Sequence, residues 1–222
     1  RVEGRHAVDV GVLTVVVAAL VALVLRRVVV LRRDWHTTRG FATAMLVVCV
    51  AALVTASAFE VKHQWVQARA TAVVVHVSGS AGAVADCQRF TPELVDLSAT
   101  SGFVFSDSQN VAHLRRTVCN DLFAWLLSSK RAPTDGQVRA VHITVHEAMH
   151  VRGEFDEARA ECFAMQRDAD AAQLLGATAS QAAALAQRYY RDVYPRMPEP
   201  YVSAQCAADQ AYDLTPGDGQ FP

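Results

Sequence analysis

The chain has 222 residues, and its 21 Lys and Arg nearly balance 22 Asp and Glu, for a formal net charge of −1. That balance gives no support to a nucleic-acid partner. No Gly-rich phosphate loop and no G-x-S-x-G elbow occurs, so nucleotide binding and serine hydrolysis have no support either.

Ala7 to Leu25 is almost wholly apolar apart from Asp9, and Phe41 to Phe59 is a second apolar run with no charge inside it. Each has the length needed to cross a bilayer. Arg26, Arg27, Arg32, Arg33 and Arg39 lie between them, interrupted by the apolar patch Val28 to Leu31. By the positive-inside rule these Arg are expected in the cytoplasm, which places everything after Phe59 on the other side. Residues 1–60 therefore read as a transmembrane hairpin with spans at about 7–25 and 41–59, and the cell membrane is the expected location. Ala56-Ser57-Ala58 resembles a signal-peptidase site, but retention is expected because another span precedes it.

Residues 61–83 read as a juxtamembrane linker. Val61 to Ala72 is expected to continue as a surface helix, Val73 to Val77 as a short strand, and Ser78 to Ala83 as a Gly/Ser/Ala connection. Residues 84–222 read as a mostly helical domain. Thr91-Pro92-Glu93 starts a short helix, and Gly102 to Phe105 is extended. Asn110 to Ser128 shows helical apolar spacing at Val111, Leu114, Val118, Leu122, Trp125 and Leu126. Thr134 to Gln137 is a capping box opening a helix with the apolar stripe Val138, Val141, Val145, Met149. A further helix is expected from Glu157 to Leu175, stopping at Gly176. Thr178 to Gln181 is a second capping box, opening a helix to about Tyr194.

Cys49 lies in the second apolar run; Cys87, Cys119, Cys162 and Cys206 all follow it. An even count there implies two disulfides in an oxidising compartment. Four Cys allow three pairings, and pairing in chain order, Cys87–Cys119 and Cys162–Cys206, is the expectation.

The chemistry concentrates in His146-Glu147-Ala148-Met149-His150 and the residues behind it. On a helix His146 and His150 share a face one turn apart, so two imidazoles can grip one ion. Glu147, beside the first His, can serve as general base toward a water on that ion. A third ligand is needed. Gly153 can end the helix in a left-handed conformation, and Asp156 can cap the next one. Glu157 is the preferred third ligand, with Glu161 accepting the spare N–H of a ligating His. Asp156 remains the alternative, directly after the Gly turn. His142 shares the His face and is a spare candidate ligand or a surface neighbour; neighbour is preferred, because its spacing does not fit the motif. His113 likewise reads as a surface residue.

The spacing H-E-x-x-H-x-x-G-x-x-D resembles a metzincin pattern with Asp156 in place of the third His. Glu157-x-x-Ala160-Glu161, running into Phe163-Ala164, resembles the second motif of membrane-associated gluzincins, whose first Glu is the ligand. With Ala158 and Cys162 added, the segment resembles that of small bacterial membrane-anchored proteins carrying H-E-x-x-H and E-A-x-x-E-C-[FY]-A. The gluzincin resemblance implies zinc-dependent peptide hydrolysis, with one Zn²⁺ per chain on His146, His150 and Glu157 and Glu147 as general base; it implies no particular substrate, and small peptides or cell-envelope amides are the expectation for so minimal a site. Tyr189, Tyr190, Tyr194, Tyr201 and Arg188 are candidate oxyanion donors, none singled out.

The expected fold class is mainly α: a two-helix transmembrane hairpin, then a small disulfide-containing extracytoplasmic domain with a zincin-like helix. Scarcity of strands argues against a peptidase that lays substrate along a sheet edge. Two alternatives follow: a metal-binding envelope domain without turnover, and a metal-free interaction module held by disulfides.

Overall fold

The computed structural model describes residues 11–33, 39–89, 102–103 and 110–222. The expected helix start at Thr91 and the end of the extended piece at 104–105 lie outside them. The chain divides into two compact units, Arg1–Trp65 and Val66–Pro222.

Two apolar helices come first, α1 (Val12–Arg33) and α2 (Arg39–Ser78), both long and apolar enough to cross a membrane. At 1.5 Å per residue α1 measures about 33 Å, close to the hydrocarbon thickness of a bilayer. It does not stop at Leu25 as expected but runs on to Arg33. No Gly or Pro interrupts it, and Arg stems can lie along apolar neighbours while their heads reach water. Near the start of α1, Thr14 donates its hydroxyl to Glu60 Oε1 at 2.7 Å. Gln64 donates to the same oxygen at 2.9 Å, so the two helices are tied by a polar contact.

Residues 61–83, expected as surface helix, strand and connection, are mostly helix. α2 continues to Ser78, and Val66, Ala70, Val73, Val74 and Val77 form a buried stripe. Their spacing is helical, and burial along one helix face outweighs the β-branched content of Val73 to Val77. The strand expected there is therefore helix. Gly79, at φ +74°, ends it in the left-handed region.

The second unit also contains a small sheet of β1 (Val84–Cys87), β2 (Gly102–Phe103) and β3 (Val111–Leu114), in the order β1-β3-β2. β1 runs parallel to β3, with Val84 opposite Val111; β2 runs antiparallel, with Gly102 opposite Leu114. The outer edge of β1 is covered by α2. Thr71 Oγ1 accepts from the Ala85 amide at 3.1 Å, and Gln67 Oε1 from the Cys87 amide at 3.3 Å. Covering an edge this way removes a site for stray strand pairing. The helix expected over Asn110 to Ser128 is thus a strand followed by α3 (Arg116–Leu127). Ala112 and Leu114 alternate inward, a two-residue period that a longer helical window hides.

α4 (Asp135–Val151) opens with the expected capping box, in which Thr134 and Gln137 satisfy each other's backbone amides. It packs against α3, β2 and β3, and against the later helices α5 (Glu157–Met165), α6 (Asp168–Leu174) and α7 (Ala179–Asp192). Val138, Val141, Val145 and Met149 are all buried, so the stripe read from sequence is the core face. The helix expected over Glu157 to Leu175 is broken at Gln166–Arg167. There the Gln166 side-chain amide donates to the carbonyls of Cys162 at 2.9 Å and Tyr212 at 2.8 Å, binding the C-terminal tail to the break.

Disulfides join Cys87 to Cys119 and Cys162 to Cys206, as chain order suggests, with Cα separations of 6.0 and 5.3 Å. The second closes a loop of 44 residues and anchors the tail to α5. By the chain-entropy account such a loop stabilises by about 4 kcal/mol. Replacing both Cys162 and Cys206 by Ser is expected to lower the urea midpoint of the full chain in detergent accordingly. An unchanged midpoint would show that the bridge does not stabilise the domain.

Candidate metal site

The site lies where α4 turns into α5. Arg152 ends α4, and Gly153 follows at φ +99°. Gly153 N–H donates to the His150 carbonyl at 2.9 Å and Glu154 N–H to the Met149 carbonyl at 3.0 Å. This paired closure needs a left-handed residue at position 153, which Gly supplies without steric cost. Asp156 then caps α5 by accepting the Arg159 amide at 2.8 Å. Its carboxylate is committed to that cap on an exposed turn and is not among the converging groups. Glu157, the first residue of α5, is.

His146, His150 and Glu157 offer ligand atoms within 4.8 Å of one another. Glu157 Oε2 is 3.1 Å from His146 Nε2 and 3.5 Å from His150 Nε2. Three atoms on a tetrahedral ion bound at 2.0–2.1 Å stand about 3.3 Å apart, so these separations suit a single small cation. The outer ring nitrogens face acceptors. His150 Nδ1 donates to the Glu154 carbonyl at 2.7 Å, a group presented by the Gly153 turn. His146 Nδ1 lies 3.0 Å from Glu161 Oε2, an ion-pair approach whose angle falls short of a hydrogen bond. With acceptors at Nδ1, Nε2 is the nitrogen that each ring turns toward Glu157, and an ion bound there would replace the proton between them.

The electrostatics fit a cation site. Hydrogen bonds from His146 and His150 hold the Glu157 carboxyl down at about 2, against partial burial. Burial pushes the His146 ring down, but Glu157 and Glu161 outweigh it and raise it to about 9. His150 is raised for the same reason, burial being outweighed chiefly by Glu157. Glu147 sits on α4 beside His146, 4% exposed, and its Oε2 has no hydrogen-bond partner. Burial raises its carboxyl to about 7, opposed by His146 and His150.

His142 is not a surface residue. It is 1% exposed, with Nδ1 2.9 Å from Asp168 Oδ2 and Nε2 3.0 Å from Glu161 Oε2. Tyr189 stacks on its ring at 3.6 Å and donates its hydroxyl to Glu161 Oε1 at 2.7 Å. His142, His146 and Glu161 form a second group close enough to hold an ion. A neutral imidazole donates from only one nitrogen, so a ring between two carboxylates is satisfied as imidazolium and offers no lone pair. Sequence reasoning did not single out Asp168, and it named Tyr189 only as one of five candidate oxyanion donors, not as a partner of Glu161 and His142. Asp168 and Tyr189 lie 26 residues and 28 residues from their partners, and no local pattern marks them.

Of the five candidate oxyanion donors, four are engaged elsewhere. Arg188 binds Asp135 and the Pro133 carbonyl, Tyr189 binds Glu161, Tyr190 approaches the Cys206 carbonyl at 3.5 Å, and Tyr194 bonds Ser203. Tyr201 has its ring 5.8 Å from that of His146, and no hydrogen bond to its hydroxyl is made among the described residues. Phe155 stacks beside His150 at 6.4 Å and is exposed. His113 sits on β3, bonded to Asp86 at 2.9 Å, and belongs to neither group.

Compared with protein-family models, curated proteins and solved structures, the chain matches none. The site must therefore be read from its own chemistry.

Proposed function

We propose that the chain is a membrane-anchored, zinc-dependent hydrolase of the H-E-x-x-H kind, cleaving peptide or cell-envelope amide bonds outside the cytoplasm. The observation that carries this reading is the convergence of His146 Nε2, His150 Nε2 and Glu157 Oε2 beside the buried, unpartnered Glu147 carboxylate. Two imidazoles and one carboxylate with a position left open suit Zn²⁺ better than the hard oxygen-seeking cations. Zinc held there supplies an acidified water and polarises a carbonyl.

Glu147 takes the proton of the attacking water and passes it to the leaving amine. Tyr201, whose ring lies 5.8 Å from that of His146, would be the donor to the carbonyl oxygen as negative charge develops on it. The Arg cluster around the inner ends of α1 and α2 supports an inward-facing loop, and the two disulfides support an oxidising location for the domain. The gluzincin resemblance of Glu157 to Ala164 fits the ligand set.

One observation favours a second reading. His146 and His150 are only 6% and 9% exposed, which also suits an ion held for stability without turnover. Metal content tests what both readings share. The purified full chain is expected to carry one zinc, to lose it with Glu157→Ala, and to keep it with Asp156→Ala. Loss with Asp156→Ala alone would overturn the ligand assignment, and no zinc in the folded wild type would overturn both readings.

A further inference from the structure

Behind the three converging groups lies a second layer of side chains, none of which belongs to the group of His146, His150 and Glu157. Asp168 from α6, His142 from α4, Glu161 from α5 and Tyr189 from α7 meet there, each almost fully buried. Buried charges are costly unless paired, and a network of this kind persists where its members hold something in place. We propose that Asp168, His142 and Tyr189 are positioning residues for His146, acting through Glu161 to fix the ring orientation in which Nε2 meets Glu157. This inference rests on the reading that His146, His150 and Glu157 hold a divalent ion.

The argument runs along the contacts. Both oxygens of Glu161 are engaged. Oε1 accepts the Tyr189 hydroxyl at 2.7 Å, and Oε2 faces His142 Nε2 at 3.0 Å. A carboxylate pinned at both ends cannot rotate about its terminal bond without breaking a contact. Its Oε2 therefore stays 3.0 Å from His146 Nδ1. Asp168 Oδ2 holds the far side of His142 at 2.9 Å, which keeps that ring from turning away from Glu161. Tyr189 closes the arrangement by stacking on His142 at 3.6 Å while bonding Glu161. The chain of contacts thus passes from Asp168, the first residue of α6, through His142 on α4 and Glu161 on α5, to the outer nitrogen of His146. His150 is oriented differently, by the Glu154 backbone carbonyl, so loss of the network would disturb one ligand and spare the other.

The test uses the full chain in detergent micelles, titrated with Co²⁺ while its d–d absorption is followed, and with Zn²⁺ against a chromophoric chelator. Asp168→Asn and Tyr189→Phe keep shape while removing one charge and one hydrogen bond. Each is expected to bind one ion with roughly tenfold weaker Zn²⁺ affinity and a changed Co²⁺ spectrum. Val138→Ala, a buried change on α4 outside the network, is expected to lower the melting temperature and leave affinity and spectrum as in wild type. Wild-type affinity and spectrum in both network variants would overturn the inference while leaving the ion site standing. An affinity loss in Val138→Ala equal to theirs would also overturn it, by showing that general destabilisation is enough. A wild type that takes up neither ion would overturn the site reading itself, and the inference with it. Should Asp168→Asn fail to fold, Tyr189→Phe decides alone.

Discussion

Glu147→Gln is expected to lower hydrolysis by 10²- to 10⁴-fold or more, as loss of a general base does, while one zinc per chain remains bound. The side chain keeps its length and its place on α4 but can no longer accept a proton. A mixture of quenched fluorescent peptides, incubated with the full chain in detergent, gives the rate; metal analysis of the same sample gives the occupancy. Unchanged cleavage would remove Glu147 from the mechanism, whereas no cleavage by either protein would favour the ion as a structural element. The substitution has a second consequence, on stability. Burial raises the Glu147 carboxyl to about 7 in the folded chain, against an ordinary value of 4.5. A raised value means the folded state binds the proton more tightly, so stability is present below about pH 4.5 and is lost as pH rises through 7. At pH 8 the ionised group therefore costs stability, on the order of 1–3 kcal/mol. Metal-free Glu147→Gln should accordingly unfold at higher urea than metal-free wild type at pH 8, with the difference shrinking toward pH 5. A residue that weakens the fold and is needed for turnover is what a catalytic group looks like in melting data.

His142→Ala is expected to destabilise the domain by about 3–5 kcal/mol, since it leaves the buried Asp168 carboxylate without its cation and takes from Glu161 one of the two rings that face it. Urea melts of the metal-free chain measure this. Asp168 and Glu161 outweigh the burial that would lower the ring's affinity for protons, and hold it protonated up to about pH 10, against an ordinary value of 6.5. Because the folded value is the higher one, the stabilisation is complete below about pH 6.5 and is lost as pH rises toward 10. The gap between wild type and His142→Ala should therefore narrow over that range. A gap independent of pH would show that His142 is not held as an imidazolium.

What the sequence conveyed about the site was its local part. His146 and His150 follow from helical spacing, and the apolar stripe from Val138 to Met149 fixes which face is buried. Glu157 and Asp156 were adjacent candidates separated only by chemistry: a residue that caps a helix spends its carboxylate on the backbone, and Asp156 is that residue. His142 was misread because its partners lie 19 residues and 26 residues away, beyond any periodic pattern. The helical excess was plain, but two details of the fold were not. Val73 to Val77 looks like a strand until the burial of Val66 and Ala70 shows the helix continuing beneath it. Val111 to Leu114 looks helical until pairing with β1 and β2 draws it into a sheet. Both depend on distant partners, which local propensity does not contain.

The contact between His146 and Glu157 spans 11 residues. Closing so short a loop costs little chain entropy, and the Gly153 turn already brings its ends together. An ion can then be captured by a hairpin of two short helices before distant parts of the domain have met. Contacts of low sequence separation form early, whereas the bond from Tyr189 to Glu161 reaches across 28 residues and must come later. For an ion bound there, the order of assembly would be a loosely held ion first and a tightened one last. Ion capture would then guide folding as well as result from it, and the metal-free chain should refold more slowly than the chain supplied with zinc.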